Sequence, residues 1–269
     1  MLKREITLLF SSDPVNGAFA RSPNGDQFSV NLYNPIQVPR NSSYCTVQVL
    51  SANVWYTTPN IAIQYDNDIF VFFDGTTTHT IQIDKGLYDL GALYQSLQVK
   101  VNNLPAAFLW QDMFIWSGNQ ATQKVEITFL KPGVSINWNL STVRTILGFD
   151  ASQTATSVAP FSNYTVVGNN IANFNTFTSF FIRGDIVNDG IPVNSTATQV
   201  LANVFIDTIP GSLINYIPQN PPICLANDLI GARRTQLRFS LTDQRNQPVD
   251  TNGEFYSFLV QINFYTDDH

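Results

Sequence analysis

The chain has 269 residues, of which 14 are Lys or Arg and 20 are Asp or Glu, so charged residues make up only 13%. That share is about half of the roughly 25% typical of soluble proteins. Because 44% of the residues are hydrophobic, the composition excludes a disordered chain. The net charge of −6 disfavours a surface that coats nucleic acid, which needs clustered cations.

Two simple features bear on location and redox state. The N-terminal apolar stretch at residues 6–10 is too short for a signal-peptide core, and no apolar run predicts a membrane helix. We therefore expect a soluble chain without membrane insertion. Cys45 and Cys224 are 179 positions apart and lack metal-binding spacing, which favours two independent thiols over a disulfide.

Period-two alternation dominates the sequence and predicts strands. The first twenty residues are predicted as an N-terminal arm or edge strand, and the Pro-rich residues 216–226 as an extended, unpaired link. The other strongest predicted strands are residues 28–33, 46–55, 69–73, 78–83, 114–116, 125–129, 177–187, 200–206, 236–241 and 256–264.

A helical period replaces this alternation after Gly86. The apolar positions that share one helix face are Leu90, Leu93, Leu97 and Val101. Asp89 stands at the expected N-cap, and a second short helix is predicted to end at Gly148. We predict an all-β fold: a single jelly-roll β-sandwich with a small α+β insertion. Its parts are an arm at 1–20, the jelly roll at 21–85 and 151–269, and the insertion at 86–150.

Charge is unevenly distributed along the chain. Between residues 151 and 226 the only charged residues are Arg183, Asp185, Asp189 and Asp207. Two alternatives explain this deficit: a fully buried sheet layer, or a surface that contacts between subunits will cover.

No catalytic signature is present, so the sequence predicts no enzyme and no cofactor. His79 lies in a threonine-rich predicted strand without a flanking nucleophile motif, which favours a structural histidine. A glycosidase-like carboxylate pair is the least favoured hypothesis, because no pair of acidic residues stands out.

Two oxygen-rich clusters are candidate calcium sites: residues 66–68 (Asp-Asn-Asp) and residues 250–254 (Asp-Thr-Asn-Gly-Glu). Neither has a complete calcium-loop pattern, and turn formation explains both, so no metal site is predicted. The four Asn-X-Ser/Thr sequons, at Asn41, Asn139, Asn163 and Asn194, are interpreted as chance products of an Asn/Ser/Thr-rich chain.

Arg183, Gly184 and Asp185 form an integrin-type tripeptide and are the candidate receptor-binding residues. Receptor binding needs the tripeptide on an exposed loop. Phe180 and Ile182 instead indicate that it lies in a strand, which favours a structural role.

The order of motifs is similar to that of a known family. The segments FFIRGDIVNDGIPVN (180–194) and QVLANV (199–204), then a Pro-containing link and an Asp…Asn-Gly hairpin within residues 214–264, resemble the penton (minor capsid) proteins of virophages and Polinton-type viruses. Residues 24–54 are similar to that family's opening strand pair, and the helix after Gly86 is similar to its insertion.

The resemblance implies a structural capsid protein of the virion that is assembled in the host cytoplasm or nucleus. It would form a homopentamer at each five-fold vertex, surrounded by major capsid protein. The main alternative is a spike or lectin-like jelly-roll module that binds a carbohydrate or a protein receptor. Its candidate stacking residues are Trp55, Trp110, Trp116 and Trp138, although core packing is the favoured role for each.

Overall fold

The computed structural model describes residues 2–104, 109–153, 155–156, 164–193 and 198–266. The chain divides into two compact units. The first contains Met1–Thr58 and Phe177–His269, and the second contains Pro59–Thr176.

The elements follow in chain order. The strands are β1 (Leu2–Ser11), β2 (Ala18–Phe19), β3 (Gln27–Gln37), β4 (Ser42–Trp55), β5 (Ile69–Phe73), β6 (Thr78–Gln82), β7 (Phe114–Asn119), β8 (Lys124–Phe129), β9 (Ser135–Ile136), β10 (Ala155–Thr156), β11 (Tyr164–Val167), β12 (Ser179–Gly184), β13 (Val200–Phe205), β14 (Leu213–Tyr216), β15 (Cys224–Leu225), β16 (Arg233–Asp243) and β17 (Ser257–Thr266). The helices are α1 (Leu90–Asn102) and α2 (Arg144–Leu147), with short 3₁₀ helices at Pro14–Asn16, Ile63–Tyr65, Trp110–Asp112 and Asn227–Leu229.

The first unit is a sandwich of two antiparallel sheets. Sheet 1 has the order β1-β17-β4-β14, and β15 also pairs with β4. Sheet 2 has the order β13-β12-β16-β3-β2. The chain crosses between the sheets from β3 to β4 and from β16 to β17, so neighbours in a sheet are distant in sequence. The predicted all-β, single jelly-roll fold is confirmed.

Aromatic side chains hold the two sheets of this unit together. The ring centroid of Phe239 in sheet 2 lies 4.6 Å from that of Phe10 and 5.0 Å from that of Phe258, both in sheet 1. Phe28 of sheet 2 packs edge-on against Tyr256 at 5.4 Å. Strict alternation places these rings inside, because successive strand residues point to opposite faces.

The N-terminal segment has the second of its two predicted forms, an edge strand rather than an arm. Leu2–Ser11 is a regular edge strand that pairs with β17 over all ten residues without a bulge. Apolar residues at alternate positions explain the pairing, because Phe10 is buried and Ile6 and Leu8 are half-buried on the core side.

The predicted unpaired link at residues 216–226 is only partly unpaired. Tyr216 ends β14, and β15 then returns to β4, with Cys224 opposite Val47. The prolines at 218, 221 and 222 lie between these two short strands, as expected for residues that cannot donate to a sheet.

The second unit is built around its own aromatic core. Its sheets have the orders β10-β9-β5-β6 and β11-β8-β7, and α1 buries Leu93, Leu97 and Val101. The fully buried large side chains of this core are Phe70, Phe72, Trp110, Phe114, Phe129 and Trp138.

This unit is larger than the predicted insertion at 86–150. The strands β5 and β6, predicted as part of the jelly roll, belong to it because β5 pairs with β9 and because Phe70 and Phe72 enter its core. Strand alternation identified both strands but carried no information about which sheet they would join.

Both predicted helix boundaries have the expected chemistry. The Asp89 carboxylate accepts a hydrogen bond from the Ala92 amide at 2.7 Å, which caps α1. Gly148 ends α2 in the left-handed conformation, with φ at 80°.

Two Gly→Ala substitutions in the second unit should have opposite effects. Gly91 is helical and a Cβ there meets nothing closer than 3.5 Å, so Gly91→Ala should raise the free energy of unfolding by about 0.5–1 kcal/mol. At Gly148 a Cβ would lie 2.4 Å from the Asn170 carbonyl oxygen, so Gly148→Ala should destabilise the unit. Urea unfolding followed by tryptophan fluorescence measures both, and equal effects would contradict the described backbone.

Candidate functional site

His79 forms part of a hairpin contact. Its Nε2 lies 2.9 Å from Asp74 Oδ2, and its ring stacks on Phe72. Asp74 Oδ1 also accepts hydrogen bonds from the amides of Thr76 and Thr77. The Asp74 carboxylate thus closes the turn between β5 and β6. His79 is its partner in this turn, which is a structural role of the kind predicted for this histidine.

Electrostatics of this turn favour a charged aspartate. Burial alone raises the pKa of Asp74, but the hydrogen bonds from Thr77, His79 and Thr76 outweigh it, so the pKa lies below its ordinary value.

The two oxygen-rich clusters have the contacts of turns. Asn67 accepts from the Ala62 amide and donates to the Asn60 carbonyl, and Asp250 accepts from the Asn252 amide. Within the described ranges, no group of three or more His, Cys, Asp or Glu side chains is placed to hold a metal ion.

The cysteines are separate, buried thiols. Burial raises the pKa of Cys45 to about 11, so its reactive thiolate is scarce at neutral pH. Of the sequons, Asn41 and Asn139 are exposed, whereas Asn163 and Asn194 lie outside the described residues.

The tryptophans offer little surface for stacking a sugar. Trp110, Trp116 and Trp138 are buried in the core of the second unit, and Trp138 stacks on Phe149 at 4.2 Å. Only Trp55 of the four is exposed. Core packing, the favoured role, is thus observed for three of them, and the carbohydrate-binding alternative loses these stacking faces.

The Arg-Gly-Asp tripeptide lies at the end of β12 rather than on an exposed loop. Arg183 Nε donates to Thr242 Oγ1 at 3.0 Å, and Asp185 Oδ1 accepts from the Arg238 amide at 2.9 Å. The Gly184 amide donates to the Gln199 carbonyl. Receptor binding by these residues stays a prediction, to which the strand geometry adds no support.

The outer face of sheet 1 has a composition unlike that of an ordinary solvated surface. We use this name for the side of β1, β17, β4, β14 and β15 that points away from Phe258, Val260 and the other core residues. Among the described residues of this face, the charged side chains are Lys3 and Glu5, which form an exposed ion pair at 3.8 Å.

A ladder of amides occupies the centre of this outer face. Gln48 Nε2 donates to Gln261 Oε1 at 2.5 Å, and Gln261 Nε2 donates to Glu5 Oε2 at 3.0 Å. Beside it, the rings of Tyr44 and Tyr265 stack at 4.1 Å. The two glutamine amides satisfy one another and the Glu5 carboxylate, so the ladder is preorganised, and the charge to desolvate on contact is that of the Lys3–Glu5 pair.

Exposed apolar side chains flank the ladder. Leu9 is 70% exposed and lies opposite Leu259, while Trp55 lies opposite Leu213. Leu225, which lies opposite Thr46, is 53% exposed. Amide-rich polarity with apolar groups around it is typical of a surface that another protein covers.

The charge-poor stretch at 151–226 shows a part of each predicted alternative. The strands β12 and β13 are largely buried, as a buried sheet layer requires. The end of β13 and the rest of the stretch in the first unit instead expose apolar residues, namely Phe205, Ile209, Ile217, Ile223 and Leu225.

Comparison with known proteins identifies a fold. No protein-family model and no curated protein matches the sequence. Among solved structures, the chain is similar to the crystal structure of the mavirus penton protein, with a TM-score of 0.50 and 12% identity over 97% of this chain and 99% of that one. A chain of the Sputnik virophage cryo-EM structure is similar with a TM-score of 0.46 and 13% identity over 98% of both chains.

The likeness concerns the fold: this chain, a jelly roll interrupted by a second unit, is similar in fold to the mavirus penton protein. It extends over nearly the whole length of the mavirus penton protein. The resemblance to virophage pentons predicted from the sequence is therefore confirmed as a resemblance in fold.

Gly184 should be intolerant of a side chain whatever its role in recognition. A Cβ there would lie 2.7 Å from the Phe239 ring and 3.0 Å from Leu201. Gly184→Ala should therefore lower the free energy of unfolding by about 1–3 kcal/mol, measured by urea denaturation. Gly91→Ala serves as the comparison, and an equally stabilised Gly184→Ala protein would contradict the packing.

Asp74→Asn should weaken the hairpin. Because the pKa of Asp74 is lowered by folding, its contribution to stability is present above the unfolded value of about 4 and is lost as pH falls through the lower folded value. We expect a loss of about 1 kcal/mol at neutral pH and a weaker pH dependence of stability below about pH 4.

The matched control is Asp89→Asn at the exposed α1 cap, where Asn and Asp cap equally well. Thermal unfolding across pH compares the two proteins. Equal behaviour of Asp74→Asn and Asp89→Asn would show that the Asp74 contacts contribute nothing specific.

Proposed function

We propose that this protein is a structural subunit of a viral capsid. In this proposal it is a penton, or minor capsid protein, that forms homopentamers at icosahedral five-fold vertices and contacts the major capsid protein. Its place is the virion, after assembly in the host cell, and its role needs no catalytic step. The observation that carries the proposal is the nearly uncharged outer face of sheet 1, on a fold shared with the mavirus penton protein.

The energetics of this face favour a permanent contact. Large permanent interfaces are comparatively apolar and are depleted in charge at their centre. Covering an exposed leucine such as Leu9 contributes about 1.5–3 kcal/mol. The Gln48–Gln261 pair is neutral, so the charge that covering this ladder removes from water is that of Glu5, beside Lys3.

The two edges of sheet 1 indicate how copies can meet. The edge at β1 is continuous, whereas the opposite edge is divided between β14 and β15, with prolines between them. Prolines prevent an edge from joining another sheet. The divided edge is therefore poorly suited to extending one sheet into the next, which favours contact through the outer face of sheet 1.

A closed ring is the arrangement that this asymmetry supports. In a ring, each subunit uses two different surfaces, and rotation closes the contacts without leaving free ends. Sheet 1 is neutral on its outer face, and sheet 2 carries arginines such as Arg183 and Arg238 on its own. Unlike faces of this kind suit a head-to-tail contact.

The proposal includes no attachment to a membrane through a helix. Of the helices in the described part of the chain, none has the length and apolar composition needed to cross a bilayer.

Measuring the mass of the assembled species tests both the vertex role and the outer face of sheet 1 as the contact surface. Light scattering on purified protein should give a species of five chains of 30.1 kDa each. Leu9→Lys should raise the concentration at which pentamers dissociate by about tenfold or more, because it places a charge in the contact.

The control for this experiment is Val15→Lys, which changes a side chain that is 91% exposed in the 3₁₀ helix Pro14–Asn16. It should leave assembly unchanged. A monodisperse monomer, alone and with major capsid protein, would refute the vertex role, and loss of assembly in Val15→Lys but not in Leu9→Lys would refute the chosen surface.

A further inference from the structure

The outer face of sheet 2 has a depression of about 350 Å³ where the Arg-Gly-Asp tripeptide meets β16. Its polar lining includes Arg183, Asp185, Gln199, Arg238 and Ser240. It lies wholly within the first unit.

Strand register explains why two arginines share this depression. Arg183 lies opposite Ser240 on β16, and Arg238 is two residues before Ser240 on the same strand face. Such diagonal neighbours on a sheet are about 7–8 Å apart, within reach of long side chains. Ser240, which lines the depression between the two arginines, has a small side chain that leaves this space open.

The guanidinium of Arg183 is held but not neutralised. Its Nε donates to Thr242 Oγ1, which fixes the plane of the group and leaves its terminal nitrogens free to donate elsewhere. No carboxylate within the described residues forms an ion pair with Arg183 or Arg238. Burial lowers the pKa of Arg183, as expected for a cation partly removed from water.

The net charge of the depression indicates which anion it suits. Asp185 offsets one of the two arginines, so the site carries one net positive charge. A single carboxylate would neutralise it, and a planar guanidinium can bind a carboxylate through two parallel hydrogen bonds. A polyanion such as nucleic acid would meet too few cations to bind.

We infer that this depression is a receptor for one carboxylate side chain, Asp or Glu, of a neighbouring polypeptide, with Arg183 as the principal donor and Arg238 as the second. The tripeptide thus accepts an acidic group instead of presenting its own Arg and Asp to a receptor. The inference rests on the proposed function only in naming a capsid neighbour as the source of the carboxylate.

Peptide titration tests the site on the intact chain. The probe is the capped peptide acetyl-Gly-Asp-Gly-amide, and its Asn counterpart is the neutral control. We expect the Asp peptide alone to shift the NMR signals of the Arg183 Nε–H and the Gly184 amide, with weak, roughly millimolar affinity. Equal shifts from the Asn peptide would overturn the inference.

Arginine variants locate the binding. Arg183→Gln and Arg238→Gln should each weaken binding of the Asp peptide by about tenfold, because each removes charge-assisted hydrogen bonds. Arg238 is exposed, so its variant keeps the test valid if Arg183→Gln fails to fold. Arg245→Gln, in the exposed turn after β16, should bind as the unaltered protein does, and an equal loss there would refute a specific site.

Inorganic phosphate distinguishes the class of anion, since tighter binding of phosphate than of the Asp peptide would overturn the assignment to a carboxylate. The outcome is independent of assembly. If the protein is monomeric but binds the peptide through Arg183, the carboxylate site stands and the vertex role is refuted. If the protein is pentameric but does not bind the peptide, only the carboxylate site is refuted.

Discussion

The jelly roll depends on the position of its last strand. Over all ten of its residues β17 pairs with β1 on one side and with β4 on the other, so it joins segments more than 200 positions apart in sequence. Its inward residues Phe258 and Val260 complete the apolar core between the sheets. Because the side-chain period is two, the same register points Leu259 and Gln261 outward.

The outer face therefore follows from the core. A register that buries the aromatic residues of β17 also aligns Gln261 with Gln48 and Leu259 with Leu9, which creates a neutral face without any separate requirement. Sheet 2 instead carries positive charge on its outer face, where Arg183 and Arg238 share a depression. The outer faces of the two sheets therefore differ in charge. A closed ring of identical subunits needs two unlike contact surfaces on each subunit.

Sequence patterns predicted the elements well where a local rule decides them. Alternation predicted β5 at its observed bounds, and helical spacing with the Asp89 cap predicted α1. The pairing of β5 with β9 was not predicted, because partner choice depends on long-range packing that strand alternation does not encode. The outer face of sheet 1 was missed for the same reason: its residues come from five strands, and only the charge deficit hinted at a covered surface.

We propose that the outer face of sheet 1 is covered by a neighbouring copy in a closed five-membered ring. Negative-stain electron microscopy of the purified protein, with class averaging and no imposed symmetry, tests it most directly. We expect ring-shaped particles with five-fold averages. A preparation that is folded and concentrated yet contains only single, asymmetric particles, with and without the major capsid protein, would contradict it.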